Sequence, residues 1–120
     1  MPSEHLLAFT TCPDADSARA IARVLVEEKL AACINVLPGI ASIYRWQGET
    51  LDEPECLLLM KTSQSVFERL AARLKTLHPY ELPELIAIPI AEGSRPYLQW
   101  LTDATDGFGN IPKQFGDMPD

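Results

Sequence analysis

"AACINVLPGIASIYRWQGE", residues 31–49, and "ECLLLMKT", residues 55–62, are two apolar and β-branched runs separated by a short polar segment. The first is interrupted by Pro38-Gly39 and closed by a turn at Gln47-Gly48, so the pair reads as an antiparallel hairpin. Its length is unusual. Ala31 to Trp46, fully extended, spans about 50 Å at ~3.3 Å per residue. A globule of 120 residues is only about 35 Å across. Either Pro38-Gly39 bends the strand sharply or the hairpin tip projects beyond its own domain.

The flanking segments supply the rest of the fold. "LLAFTTC", residues 6–12, reads as a buried strand ended by Pro13 and Asp14. From about Asp14 to Lys29 the spacing of Ala18, Ile21, Ala22 and Leu25 predicts an amphipathic helix. Thr62 or Ser63 is placed to cap a second helix, with Val66, Phe67, Leu70, Leu74 and Leu77 on one stripe. That helix should stop at His78-Pro79, because the residue before proline avoids the helical region. "LIAIPI", residues 85–90, is a strand whose Pro89 lacks a ladder donor, which argues for an edge or a bulge. Ser94 is placed to cap a third helix presenting Tyr97, Trp100, Leu101 and Ala104 on one side.

The order strand, helix, strand, strand, helix, strand is the α+β ferredoxin-like βαββαβ two-layer sandwich, here with a long central hairpin and an extra C-terminal helix. The chain length fits one core, so residues 1–104 form a single domain. Residues 105–120, rich in Gly, Pro and Asp, form a tail or a surface strap.

Two helices can cover one face of a four-stranded sheet, yet the strands are apolar on both faces. Cys56, Leu58 and Met60 alternate with Leu57 and Leu59, and Ile86, Ile88 and Ile90 alternate with Leu85 and Ala87. A solvated second face would carry polar side chains. The expectation is that this face meets another copy of the chain or the third helix.

Composition excludes several function classes. At 47% hydrophobic and 22% charged the chain is expected to fold. Its net charge of −7 repels phosphate backbones, so nucleic acid is not an expected partner. The longest apolar runs fall far short of the ~18 residues a membrane span needs. "MPSEHLLAF" lacks the marks of a signal peptide, so a cytoplasmic location without membrane contact is expected. Cys12, Cys33 and Cys56 are odd in number and widely spaced, and read as reduced thiols.

Motifs of the common hydrolases, nucleotide binders and metalloproteases are missing, and the strands offer no aromatic platform for RNA. His5 reads as a surface residue. His78 is the more informative histidine, because Glu81 and Glu84 follow it closely and such donors suit Cu(II) or Zn(II). A helix-ending histidine that bonds a backbone carbonyl is the plainer alternative. The prolines of "HPYELPELIAIPI", residues 78–90, stiffen the entry to the last strand in either case.

"KLAACINVLPGIASIYRWQGE", "KTSQSVFERL", "HPYELPELIAIPI" and "YLQWL" resemble the signature segments of the CutA family of divalent-cation tolerance proteins, in unbroken order from about Leu6 to Leu101. The resemblance implies a ferredoxin-like protomer similar to the PII signalling proteins. It also implies a homotrimer in which the hairpins extend onto neighbouring subunits. Family members are associated with binding Cu(II) through a histidine beside the Pro-Tyr segment and a cysteine near the end of the first strand. Carried over, the histidine is His78. The family's cysteine position holds Thr10, with Cys12 two residues later, and a second family histidine position holds Leu77. Cys33 matches a cysteine common in the family, and Glu81 is the neighbouring carboxylate.

Two functional expectations follow. The first is a non-enzymatic tolerance protein binding Cu(II) or another divalent metal ion, with no organic cofactor, through His78 with Cys12, Cys33 or Glu81. The second is a PII-like module that receives a small ligand or a partner protein in clefts between subunits. There Tyr44, Trp46, Lys61, Tyr80, Glu81 and Trp100 would matter most.

Overall fold

The computed structural model describes residues 4–105. Strand β1 (His5–Cys12) leads into helix α1 (Ala15–Glu27), then β2 (Cys33–Trp46) and β3 (Glu49–Ser63). Helix α2 (Phe67–Leu77), strand β4 (Ile86–Pro89) and helix α3 (Arg95–Thr105) complete it. The four strands form one antiparallel sheet in the order β2-β3-β1-β4, the ferredoxin-like arrangement. The tail expected over residues 105–120 lies outside the described residues apart from Thr105, which ends α3 as a buried residue.

The hairpin carries an irregularity at Pro38-Gly39 and continues well beyond it. Pairing of β2 with β3 runs from Cys33↔Lys61 to Trp46↔Glu49, with an irregularity between Leu37 and Ile40. Gly39 sits inside that irregularity at φ 78°, a conformation that side-chain-bearing residues rarely adopt. Beyond it the ladder resumes to a two-residue turn in which Gln47 (φ 49°) and Gly48 (φ 86°) are both left-handed. Positive φ at both positions matches the turn to the twist of the strands. The molecule measures 48 × 35 × 24 Å, longer in one direction than the ~35 Å of a compact globule of this length.

Helix α1 starts where Asp14 accepts the Ser17 N–H at 2.7 Å, and this capping bond holds the Asp14 carboxyl below its usual pKa. The second helix departs from expectation. Neither Thr62 nor Ser63 caps it, because the Thr62 hydroxyl donates to the Leu30 carbonyl at 2.7 Å and Ser63 hydrogen-bonds Thr105. A single 3₁₀ turn, Gln64–Val66, makes the entry instead. Helix α2 ends at Leu77, and His78 is extended at φ −78°, ψ 137°, as the following proline requires. β4 lies at the sheet edge, where Pro89 forfeits no inner ladder bond. Ser94 accepts the Tyr97 N–H at 3.2 Å, as a helix cap does.

The main core lies between one face of the sheet and helices α1 and α2. Ala8, Leu58 and Met60 meet Ile21, Leu25, Leu70 and Leu74, all buried. The second face is covered only at one end. There α3 brings Leu101, Ala104, Tyr97 and Trp100 against Ala32 and Ile90. The rest of that face is apolar. Phe9, Leu57 and Leu59 are half-buried, while Ile88 and Ile86 on β4 are 50% and 57% exposed.

The core reading makes one prediction. Leu58 is fully buried, so Leu58→Ala should cost about 2–5 kcal/mol in chemical denaturation. Lys75→Ala, at an exposed position on α2, should change stability by less than about 0.5 kcal/mol. Equal effects would show the core to be misplaced.

Candidate functional site

His78 is where the chain leaves α2, and three bonds tie the loop that follows to β1 and β3. The His78 Nε2 lies 2.7 Å from the Thr11 carbonyl. The Tyr80 hydroxyl donates to Glu55 at 2.5 Å, and the Thr10 hydroxyl donates to the Glu84 carbonyl at 2.6 Å. Proline at 79 and 83 stiffens the same segment. The loop is therefore a fixed wall.

The two nitrogens of His78 have defined roles. A carbonyl can only accept, so Nε2 carries the proton toward Thr11. Nδ1 accepts the Tyr80 N–H at 3.1 Å, which a lone pair alone can do. Both ring nitrogens of His78 are thus engaged, and the ring is 7% exposed and packed against Tyr80 with ring centroids 4.8 Å apart.

Cys12 Sγ lies 3.9 Å from His78 Nε2, so the structure brings these two expected ligands together. Their arrangement does not fit a metal ion. Coordination through either ring nitrogen would break one of the bonds just described, and the Cys12 thiol would have to ionise in the core. Burial, reinforced by the neighbouring Cys56, pushes that thiol up to about 12. Among the described residues, no three His, Cys, Asp or Glu side chains are grouped to hold a metal.

The other expected ligands lie apart. Cys33 pairs with Lys61, while Cys12 pairs with Cys56, five residues away along β3. At ~3.4 Å per residue that separation is about 17 Å. Glu81 is exposed on the loop and faces a cleft instead.

That cleft lies between the loop and the overhanging hairpin. It has a volume of about 800 Å³ and is walled by Ser42, Tyr44 and Trp46 on one side and Tyr80, Glu81 and Glu84 on the other. Thr11 and Glu55 form part of its floor. Tyr44 hydrogen-bonds Glu53 as Tyr80 does Glu55, so two tyrosine–carboxylate pairs stand side by side. Burial and then the bond to Glu55 raise the Tyr80 pKa, while the bond to Glu53 leads the rise for Tyr44, so both stay neutral phenols.

Of the six residues expected at clefts between subunits, Tyr44, Trp46, Tyr80 and Glu81 line this cleft within one chain. Lys61 and Trp100 do not. Lys61 hydrogen-bonds Asn35 and approaches Cys33, and Trp100 packs on Tyr97 in the cluster under α3, with ring centroids 5.5 Å apart. The residues missed were Thr11, Ser42 and Glu55, and Glu84, expected only as a donor beside His78, also lines the cleft. Glu55 carried a signal, because its position alternates with Leu57 and Leu59 and so puts a carboxylate on the apolar second face.

The buried thiol gives a pH prediction. The folded chain holds the Cys12 proton above its ordinary value of 9.0, so stability is unaffected below that pH and falls as pH rises toward 12. Cys12 should contribute about 1.4 kcal/mol of loss per pH unit across this window. Denaturation of reduced protein from pH 8 to 11 should show a shallower decline for Cys12→Ala than for wild type. Parallel declines would contradict the assignment.

A family model described as CutA1 divalent ion tolerance protein matches residues 6–104. The divalent-cation tolerance protein CutA of Thermus thermophilus is 56% identical over 99 residues, covering 82% of this chain and 96% of that protein. Human Protein CutA is 42% identical over 106 residues, which is 88% of this chain but 59% of the human protein. Among solved structures, CutA from Xylella fastidiosa is 47% identical with a TM-score of 0.84, covering 87% of this chain and 100% of that one. CutA1 from Shewanella sp. SIB1 is 43% identical with a TM-score of 0.85, covering 88% and 99%. The chain belongs to the CutA1 divalent ion tolerance protein family.

Proposed function

We propose that this chain is a cytoplasmic, non-enzymatic homotrimer that contributes to divalent-cation tolerance, Cu(II) included, by binding a small ligand or partner group in the cleft between hairpin and loop. The observation that carries this reading is the state of His78. Both of its ring nitrogens are bonded within the chain, and one of those bonds holds Tyr80 at the cleft. A histidine so engaged positions a wall and leaves no free donor for a metal.

The trimer is supported by the apolar second face, since Leu37, Leu57, Phe9, Ile86 and Ile88 would otherwise stand in water. Thr11 and Leu57 are paired across β1 and β3, so this face borders the cleft floor and a neighbouring copy would stand beside the site. A binding role is supported by the walls, where each phenol is already hydrogen-bonded to a carboxylate. Family membership supports the tolerance role. No helix among the described residues is long and apolar enough to cross a membrane.

The test has two arms. Calorimetric titration of the reduced protein with Cu(II) should show no saturable micromolar site that depends on His78. Growth at inhibitory copper, in a host lacking its own copy of this protein, should be restored by wild type and by Cys33→Ser but not by Trp46→Ala, with all three chains assembling alike. Tight Cu(II) binding abolished by His78→Ala in a folded assembly, or full tolerance in Trp46→Ala, would overturn the reading.

A further inference from the structure

We propose that the ligand of this cleft is an organic cation, a protonated amine carried on an apolar chain. This rests on the cleft reading above and names the ligand's chemical class. Glu55, Glu81 and Glu84 contribute three carboxylates to the walls, and no Lys, Arg or His lines them. The single ion pair among the described residues joins Arg73 to Glu28 on the helical side, so no described residue of the same chain forms an ion pair with these glutamates. An anion entering here would meet unscreened like charge.

The aromatic groups select the kind of cation. Tyr44 and Trp46 both line the cleft, and within the single chain they are 39% and 41% exposed, so their rings contribute aromatic surface to it. Aromatic faces attract alkylammonium groups and pack on the attached methylenes. The hydroxyl protons of Tyr44 and Tyr80 are directed to Glu53 and Glu55. The phenol oxygens therefore offer lone pairs to the cleft, and N–H donors are what they can receive. A compact metal ion needs several ligands converging on one point, and the described residues supply no such group. The carboxylates are instead spread along the loop and floor, which suits a ligand whose N–H groups are themselves separated, as in an alkyl diamine or triamine.

The probes are 1,4-diaminobutane and spermidine, set against succinate as an anion of similar length and propylene glycol as a neutral one. Binding to the assembled protein is followed by Trp46 fluorescence, using Trp100→Phe to remove the second indole. The amines should give a saturable change that weakens as salt is raised. Glu81→Gln/Glu84→Gln should bind them at least about tenfold more weakly, because charge-assisted hydrogen bonds are lost while the fold is untouched. Preference for succinate or the glycol, or amine binding unchanged by the double substitution, would overturn the cation assignment and leave the cleft as a site. No response to any probe, together with full copper tolerance in Trp46→Ala, would overturn both.

Discussion

Two helices cannot cover both faces of a four-stranded sheet, and the architecture of this protein turns on that shortage. Helices α1 and α2 take the face carrying Ala8, Leu58 and Met60. The opposite face carries Phe9, Leu57, Leu59, Ile86 and Ile88, and helix α3 covers only the end near Ala32 and Ile90. Burial of apolar surface is the dominant favourable contribution to folding, so a face of this kind is unfinished in a lone chain. The long hairpin adds to it, since Ile43, Tyr44 and Trp46 stand out from the body on two strands with no helix behind them. A two-stranded ribbon is marginally stable by itself and gains from packing against further structure.

The same geometry explains where the cleft lies. Beyond the covered end and the apolar middle, the second face ends at Thr11, Leu57 and Glu55, beneath the overhang of the hairpin. The loop from Pro79 to Glu84 closes the remaining side, held by His78, Tyr80 and the Glu84 carbonyl. Each anchor uses a strand residue in or beside the core: Thr10 is itself buried, Thr11 lies beside Cys12 and Glu55 beside Cys56. The wall is thus as rigid as the sheet it hangs from, which is what a preformed site needs. His78 joins the two roles, ending a helix and orienting the aromatic residue two positions on.

Much of this was legible in the sequence because it depends on local rules. Proline after His78 ended α2, Pro89 marked an edge strand, Ser94 capped α3, and the alternation of Leu57 and Leu59 with Leu58 exposed the second face. The failures were non-local. Thr62 and Ser63 looked like caps, but partners distant in sequence, Leu30 and Thr105, claim their hydroxyls. Lys61 and Trp100, expected at clefts between subunits, lie at the other end of the sheet from this cleft within one chain, a placement set by strand register. His78 and Cys12 were brought together as expected, yet sequence could not show that the Thr11 carbonyl and the Tyr80 amide already occupy the ring. Family likeness fixed the fold and the tolerance association. Which donors are free had to come from geometry.

The central claim is that the exposed second face is completed by other copies of the same chain, with the cleft at its border. Sedimentation equilibrium of the reduced protein at micromolar concentration tests it most directly, run beside Ile86→Asp/Ile88→Asp. The account requires a wild-type mass three times the 13.3 kDa of one chain, and a loss of assembly in the variant. A wild-type mass of one chain would contradict it.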